Sequence, residues 1–248
     1  MRGRNNRQGQ QSFFADETAV VMAAAHELKS PLTLITYIAQ ILADKTLGLS
    51  DVERADYLRR LQVVSERALR LTQQLAVSYR IREDQVGFVF NLEPINVNMV
   101  CESALHELAP YAREYDQMVC FKAARRAQTV IANREILHDV LTNLIENAIR
   151  HNAPKTEVTM MARTRDGKVR LNVHDNGELI SAREVLRLRQ TLGRSPQPLT
   201  GHAGTSGLGL YIVSQLASAM GGSLGIGRAK RGTTFFVDLY KSQQMNLW

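Results

Sequence analysis

The chain has 248 residues, 44% of them hydrophobic, and its 31 lysines and arginines outnumber 24 aspartates and glutamates for a net charge of +7. That much apolar material excludes a disordered chain, the length accommodates one or two domains with their own cores, and the basic balance suits phosphate-bearing ligands, acidic protein surfaces or nucleic acid. Two cysteines, Cys101 and Cys120, stand without paired metal-ligand spacing, which excludes a disulfide scaffold and a zinc module and predicts a reducing, cytoplasmic compartment.

The opening MRGRNNRQGQQS leads into no apolar segment with a small-residue cleavage site, so residues 1–12 are expected as a disordered basic tail and not a secretion signal. The longest apolar stretch, Leu32 to Ala43, is too short to cross a bilayer and is interrupted by Thr33, Thr36 and Gln40. No membrane span is expected. Over residues 13–82 the spacing predicts a helical hairpin. Val21, Leu28, Leu32, Ile35, Ile38 and Leu42 populate the first helix. Tyr57, Leu61, Val64, Ala68, Leu71, Leu75 and Ser78 recur at alternating intervals of four and three in the second, and Leu47 to Asp51 supply a turn and a cap. One hairpin is too thin to bury both seams, so pairing with a second copy as a four-helix bundle is expected.

Ten of the sixteen glycines fall between Gly193 and Gly232, so the chain changes character after the hairpin. Val86 to Asn91 alternates as a short strand; Asn96 to Tyr115 reads as a helix, Met118 to Lys122 and Thr129 to Ile131 as strands, and Asn133 to His151 as a helix. Thr156 to Arg165 and Lys168 to His174, joined by Asp166-Gly167, predict a β-hairpin. Ser206 to Met220 reads as a helix, with Ser223 to Gly227 and Thr233 to Tyr240 as closing strands. The predicted class is α+β: a helical hairpin forming a dimeric four-helix bundle, followed over residues 86–242 by a two-layer α/β sandwich.

Four places carry chemistry. In AHELKSPLT, His26 lies on a helix beside Glu27 and five residues before Pro31, whose ring removes a backbone hydrogen bond and is expected to bend the helix. An imidazole with a neighbouring carboxylate to orient it and take a proton is a candidate nucleophile. In NREILHDVLTNLIENAIRHN, Asn143 and Asn147 share a stripe with Arg150 and His151, opposite an apolar face of Leu137, Leu141, Leu144 and Ala148, and amide oxygens suit Mg²⁺. VHDNGELI delivers Asp175 from a strand to a turn at Gly177, where a buried carboxylate can accept from the amino group of adenine. In GTSGLGLYIV, Gly204, Gly207 and Gly209 lead into a helix whose N–H groups suit phosphate oxygens. Singly, each has a plainer reading: a surface histidine, an amphipathic helix, a turn, a loop.

Taken in this order they resemble sensor histidine kinases of two-component systems, over about Phe13 to Tyr240. AHELKSPLT is similar to the phosphoacceptor box, NLIENAIRHN to the asparagine box, DNG and SGLGL to the two glycine boxes, and RGTTF, with Thr233, to the last box. The resemblance implies an ATP-binding domain shared with gyrase-like and heat-shock-chaperone ATPases, with ATP and Mg²⁺ as cofactors and transfer of the γ-phosphoryl to His26 and then to an aspartate of a response regulator. By it Glu27 is the general base, Asn147 the Mg²⁺ ligand, Asn143 its partner and Asp175 the adenine reader, with Arg150, His151, Gly177, Gly204, Gly207, Leu208, Gly209 and Thr233 completing the ATP site. The partners it implies are a second copy and a receiver domain; no nucleic acid is expected, and no sensor domain is expected ahead of the hairpin. The sequence departs from the pattern at Leu179, where a second glycine is usual, at Thr205 in place of a leading glycine, and at Ser30, commonly threonine or asparagine in the position used for phosphatase chemistry. The segment from Glu178 to Thr205 is expected as a mobile ATP lid bearing Arg183, Arg187, Arg189 and Arg194. Two alternatives use the same pocket. One is a catalytically weak dimeric regulator or phosphotransfer adaptor; the other is a plain ATPase, which needs a carboxylate where Asn143 stands.

Overall fold

The computed structural model describes residues 4–82, 91–123, 128–192, 207–227 and 229–242, with the backbone alone at 4–17, 78 and 80–82. The chain divides into two compact units, Met1–Tyr79 with Pro196–Leu208 and Arg80–Ser195 with Gly209–Trp248.

The first unit carries two long helices, α1 (Arg4–Ala43) and α2 (Asp51–Arg82), joined by a 3₁₀ turn at Lys45–Leu47. The joint is built from caps. Asp44 accepts from the Thr46 backbone N–H at 2.8 Å, and Gly48 takes the left-handed conformation at φ 57°. Glu53 Oε2 accepts from the Ser50 N–H and hydroxyl at 3.0 and 2.7 Å, while Ser50 Oγ accepts from the Glu53 N–H at 3.3 Å. This reciprocal box satisfies donors at the start of α2 that have no partner inside the helix.

α1 corrects the sequence reading in two ways. It runs back to Arg4, through most of the segment expected as a disordered tail. Extending a formed helix adds one hydrogen bond per residue fixed, and residues 4–12 contain no proline to stop it. Pro31 lies inside this one helix. Finally, the expected α1 seam splits in two: Ala23, Pro31 and Ile38 are buried and Leu28, Ile35 and Leu42 half-buried, but Val21 and Leu32 are 65% and 53% exposed. Hydrophobic spacing finds both stripes of a helix that has two and does not say which turns inward. On α2, Ala68 is buried and Tyr57, Leu61, Val64, Leu71 and Leu75 are half-buried, as their spacing predicts; Gln74 is buried with them. Ser78 lies outside the residues with described side chains.

The second unit is a five-stranded sheet in the order β2-β4-β5-β7-β6, with a separate antiparallel pair β1-β3. Its elements are β1 (Glu93–Asn96), α3 (Val97–Glu114), β2 (Met118–Lys122), β3 (Thr129–Ala132), α4 (Arg134–Arg150), β4 (Glu157–Arg165), β5 (Lys168–Asp175), α5 (Ala182–Thr191), α6 (Leu208–Ala219), β6 (Ser223–Gly227) and β7 (Thr234–Tyr240). β2 runs parallel to β4, and every other pairing in the large sheet is antiparallel. At the β4-β5 turn both Asp166 (φ 48°) and Gly167 (φ 74°) have positive φ, the pattern that matches the twist of a two-residue hairpin.

Burial alternates along β5: Val169, Leu171, Val173 and Asp175 are buried, while Lys168, Arg170, Asn172 and His174 face the more open side. α4 packs on β4 and β5 through a face that includes Leu137, Leu141, Leu144 and Ile145, all buried; Ala148, expected on that face, is half-buried. α3 packs on α4 and β2. This two-layer core sets the end of β5, the C-terminus of α4 and the start of α6.

Two elements depart from the sequence reading. β1 was not foreseen because it contains Pro94, which lacks an N–H; it pairs only in a two-stranded ribbon, where a proline is tolerated. The segment expected as a mobile lid contains the helix α5, capped by Ser181 accepting from the Glu184 N–H at 3.2 Å, with Val185 and Leu188 buried. The strand expected at Val86 to Asn91 and the lid beyond Leu192, with Arg194 and Thr205, lie outside the described residues.

Candidate functional site

β5 ends at Asp175, and the site begins there. The side chain is 5% exposed. Its Oδ1 accepts from the backbone N–H of Gly177 at 3.1 Å and of Thr233 at 3.2 Å, and the Asp175 N–H donates to the Thr233 carbonyl at 3.0 Å. Thr233 therefore holds both the carboxylate and the backbone of Asp175 through its own backbone. The approach is close enough to require glycines: a Cβ on Gly177 would run into the Asn152 amide, and one on Gly232, already at φ 66°, would run into the Asp175 carbonyl. Burial pushes the Asp175 carboxyl above the usual carboxylate range, against the opposing pull of the Gly177 and Thr233 N–H groups, His174 and the Asn152 side chain.

Beside Asp175 lies a cavity of about 180 Å³ lined by Leu179, Ile180, Val185, Ala229, Gly232 and Thr233. An apolar cavity flanked by one oriented carboxylate suits a flat heteroaromatic ring with an exocyclic amino group. Leu179, the departure from the glycine box, is 60% exposed and forms part of this wall.

α4 brings the second set. Asn133 caps its start by accepting from the Ile136 N–H at 3.1 Å. Asn143 turns its Nδ2 back to the Asp139 carbonyl at 2.9 Å, and Asn147, one turn on, lies against the start of α6: a Cβ on Gly209 would stand 3.0 to 3.1 Å from both ends of its amide. Glycine at 209 lets the backbone N–H end of α6 approach this amide. Gly207 precedes it in the left-handed region at φ 66°, and Leu208 is buried. Gly204 lies outside the described residues. Arg150 is half-buried in the last turn, and His151 is exposed as the C-cap, its N–H donating to the Asn147 carbonyl at 3.2 Å.

The residue that sequence reasoning missed is Asn152. Its Nδ2 donates to the Ala148 carbonyl at 2.8 Å, and its Oδ1 stands where a Cβ on Gly177 would be, with Asp175 Oδ1 3.2 Å from that same point. No local signal marks its approach to Gly177, which lies 25 residues further along the chain.

His26 is exposed on α1 in the first unit, with half-buried Glu27 beside it and exposed Ser30 one turn on. Pro31 leaves the Glu27 carbonyl without its usual helical donor. The two cysteines are free, and burial pushes the Cys101 thiol up to about 12.

Asp175→Asn separates stability from recognition. With a folded pKa above the unfolded one, the stability contributed by the protonated carboxyl is present below the unfolded pKa and is lost as pH rises through the folded one. At neutral pH the buried charge is a net cost, so the variant is expected to unfold at a higher denaturant concentration at pH 7, with the difference shrinking as pH falls below the carboxyl range. Asparagine keeps Oδ1 for Gly177 and Thr233 but turns the other terminus into a donor, so affinity for adenine nucleotides falls about 10- to 100-fold, the ~1.5–3 kcal/mol of a hydrogen bond to a charged group. Denaturant titrations at two pH values and nucleotide titration calorimetry check both halves.

Residues 132–243 match the family described as histidine kinase-, DNA gyrase B-, and HSP90-like ATPase. The chain is 23% identical over 243 residues to the sensor histidine kinase YvrG of Bacillus subtilis, covering 97% of this chain and 41% of that protein. Two solved structures share its fold. ShkA in complex with AMPPNP has a TM-score of 0.59 at 22% identity, covering 92% of this chain and 46% of that one. Histidine kinase ThkA in complex with the response regulator protein TrrA has a TM-score of 0.59 at 21% identity, covering 96% and 65%. The chain is thus similar over most of its length to sensor histidine kinases, and residues 132–243 carry the match to the ATPase family of the histidine kinase, gyrase and HSP90 type. It spans less than half the length of the curated relatives it matches. Among the described residues no helix is long and apolar enough to cross a membrane.

Proposed function

We propose that this chain is a histidine kinase core that moves the γ-phosphoryl of ATP to His26 and then to an aspartate of a receiver domain. The observation that carries the reading is the buried Asp175, bound by the Gly177 and Thr233 N–H groups beside an apolar cavity, in a unit that also sets Asn147 against Gly209. In this reading Asp175 takes the adenine amino group and the start of α6 takes the phosphates. Gly177, Thr233, Arg150 and His151 line the nucleotide, and Gly204, Gly207 and Leu208 belong to the phosphate loop.

Magnesium fits the donor set. Among the described residues no cluster of three or more histidine, cysteine or acidic side chains could hold a metal. One or two amide oxygens, Asn147 with Asn143 behind it, suit a hard cation otherwise held by water and phosphate. When bound, it screens the charge of the triphosphate. Phosphoryl transfer is then a matter of position: one ring nitrogen of neutral His26 forms the N–P bond, the bond from the γ-phosphorus to the β–γ bridging oxygen breaks, and ADP leaves with that electron pair. The other ring nitrogen gives up its proton, for which Glu27 is the adjacent acceptor.

Pairing of two copies through the two-helix unit belongs to the same proposal. Val21 and Leu32 on α1 and Leu58 and Leu69 on α2 are apolar and more than half exposed, the material of a four-helix bundle. The experiment is incubation with γ-labelled ATP. Acid-labile, alkali-stable label on the protein supports the kinase; nucleotide binding without label supports the regulator, and ATP hydrolysis without label the plain ATPase.

Ser30 carries a narrower expectation. Four residues after His26 on the same helix, it projects from the same face. Serine lacks the methyl that stiffens threonine at χ1, so its hydroxyl positions an attacking water less firmly. Ser30→Thr is expected to speed loss of phosphate from a phosphorylated regulator in the presence of ADP while autophosphorylation changes little. A wild-type decay rate equal to or above the variant's contradicts this.

A further inference from the structure

Gln117 lies between α3 and β2, far in sequence from every motif of the site, and is 7% exposed. Its Nε2 donates to three carbonyls at the end of α4 and in the turn beyond it: Ile149 at 2.9 Å, Asn152 at 2.9 Å and Ala153 at 3.2 Å. These acceptors settle which end of the amide is the nitrogen, and they leave Oε1 buried without a partner. The orphan acceptor is a cost, set against the carbonyls at the end of α4 that the other end of the amide satisfies.

The last carbonyls of a helix have no partners within it. At the end of α4 they are met in succession: Asn147 by the His151 N–H, Ala148 by the Asn152 side chain, and Ile149 by Gln117. Ala153 is met a second time by the Thr156 hydroxyl at 2.7 Å. The backbone of Asn152 is therefore held by Gln117 on one side while its side chain packs against Gly177 on the other, where Asp175 Oδ1 lies 3.2 Å from the same Cβ position.

We infer that Gln117 is a positioning residue for base recognition: by fixing the turn after α4 it holds Asn152 against Asp175 and so sets the preference for adenine over guanine. The inference rests on the reading of the Asp175 pocket as an adenine site. Adenine offers an amino donor where guanine offers a carbonyl, so an oriented carboxylate favours the first and repels the second. If the Asn152 turn drifts, the carboxylate loses its aim, and the adenine complex suffers while the phosphate contacts do not.

The test uses two variants of the full chain. Gln117→Met keeps the length and removes the donor; Gln117→Asn keeps the amide and draws it back by one methylene. Each is checked for cooperative unfolding and titrated with ADP and with GDP, alone and combined with Asn152→Ala. The expected result in whichever variant folds is a fall of about tenfold in the ratio of ADP to GDP affinity, taken from ADP alone, with no further fall on the Asn152→Ala background. Equal losses for both nucleotides, or an effect that adds to that of Asn152→Ala, overturns the inference. A wild-type protein that binds neither nucleotide overturns the pocket reading itself. Wild-type binding of ADP with unchanged selectivity in the variants overturns only the role of Gln117.

Discussion

His26→Gln is expected to abolish labelling by γ-labelled ATP while leaving nucleotide binding at the wild-type level. His26 is exposed on a helix whose backbone bonds do not use the imidazole, so a glutamine of similar reach leaves α1 intact. Asn147, Asp175, Gly177, Gly209 and Thr233 sit in the other unit, and none of the hydrogen bonds that define the Asp175 pocket involves α1. A glutamine amide has no basic nitrogen to form a bond to phosphorus, so the loss is complete, not partial. Residual label at more than a few per cent of wild type, measured after alkaline treatment, would place the acceptor elsewhere, with His106 and His151 the first to examine.

Asn147→Ala is expected to remove Mg²⁺-dependent ATP binding, with affinity in excess Mg²⁺ falling at least to the level seen in chelator. The reason is geometric. Asn147 is half-buried on α4, and its amide is the group that a Cβ on Gly209 would meet at 3.0 to 3.1 Å. Alanine deletes the hard oxygen without touching the apolar face of α4, where Leu144 and Ile145 are buried, so the fold is expected to survive. Titration calorimetry with ATP, with and without Mg²⁺, reads the difference between the two curves. A variant that retains the wild-type Mg²⁺ dependence contradicts the placement of the cation.

These expectations rest on unequal kinds of sequence signal. α4 was legible to its caps, because Asn133 and the apolar repeat mark its start and face in the chain itself. So was the β4-β5 hairpin, since Asp166-Gly167 is a pair suited to two positive φ values in succession. The helix α5 had a local mark as well, Ser181 followed by Glu184, but it stands in a segment rich in arginine that reads equally as a solvated loop. What decided for helix was burial of Val185 and Leu188, a tertiary fact.

The site divides the same way. Asp175, Gly177, Asn147 and Gly209 were legible as motif residues, and the structure brings Asp175 to Gly177 and Asn147 to Gly209. Asn152 and Gln117 were not, because the contact of Asn152 with Gly177 and of Gln117 with Asn152 joins positions 25 and 35 residues apart, which packing alone brings together. The role of Thr233 changed in a related way: its backbone, which any residue carries, is what grips Asp175. The inner stripe of α1 was the hardest case, since Val21 and Leu32 satisfy the same spacing as residues that turn inward.

The central claim is that the pocket at Asp175 supplies a phosphoryl group to His26. Its most direct test is to incubate the wild-type chain with ATP and Mg²⁺, digest it at alkaline pH, where phosphohistidine survives, and locate the phosphate by fragment mass spectrometry. The account predicts a single phosphorylated peptide, with the group on His26 and absent from the Asn147→Ala protein treated in parallel. Phosphate on any other residue, or an unmodified His26 peptide from a protein that has consumed its ATP, would contradict it.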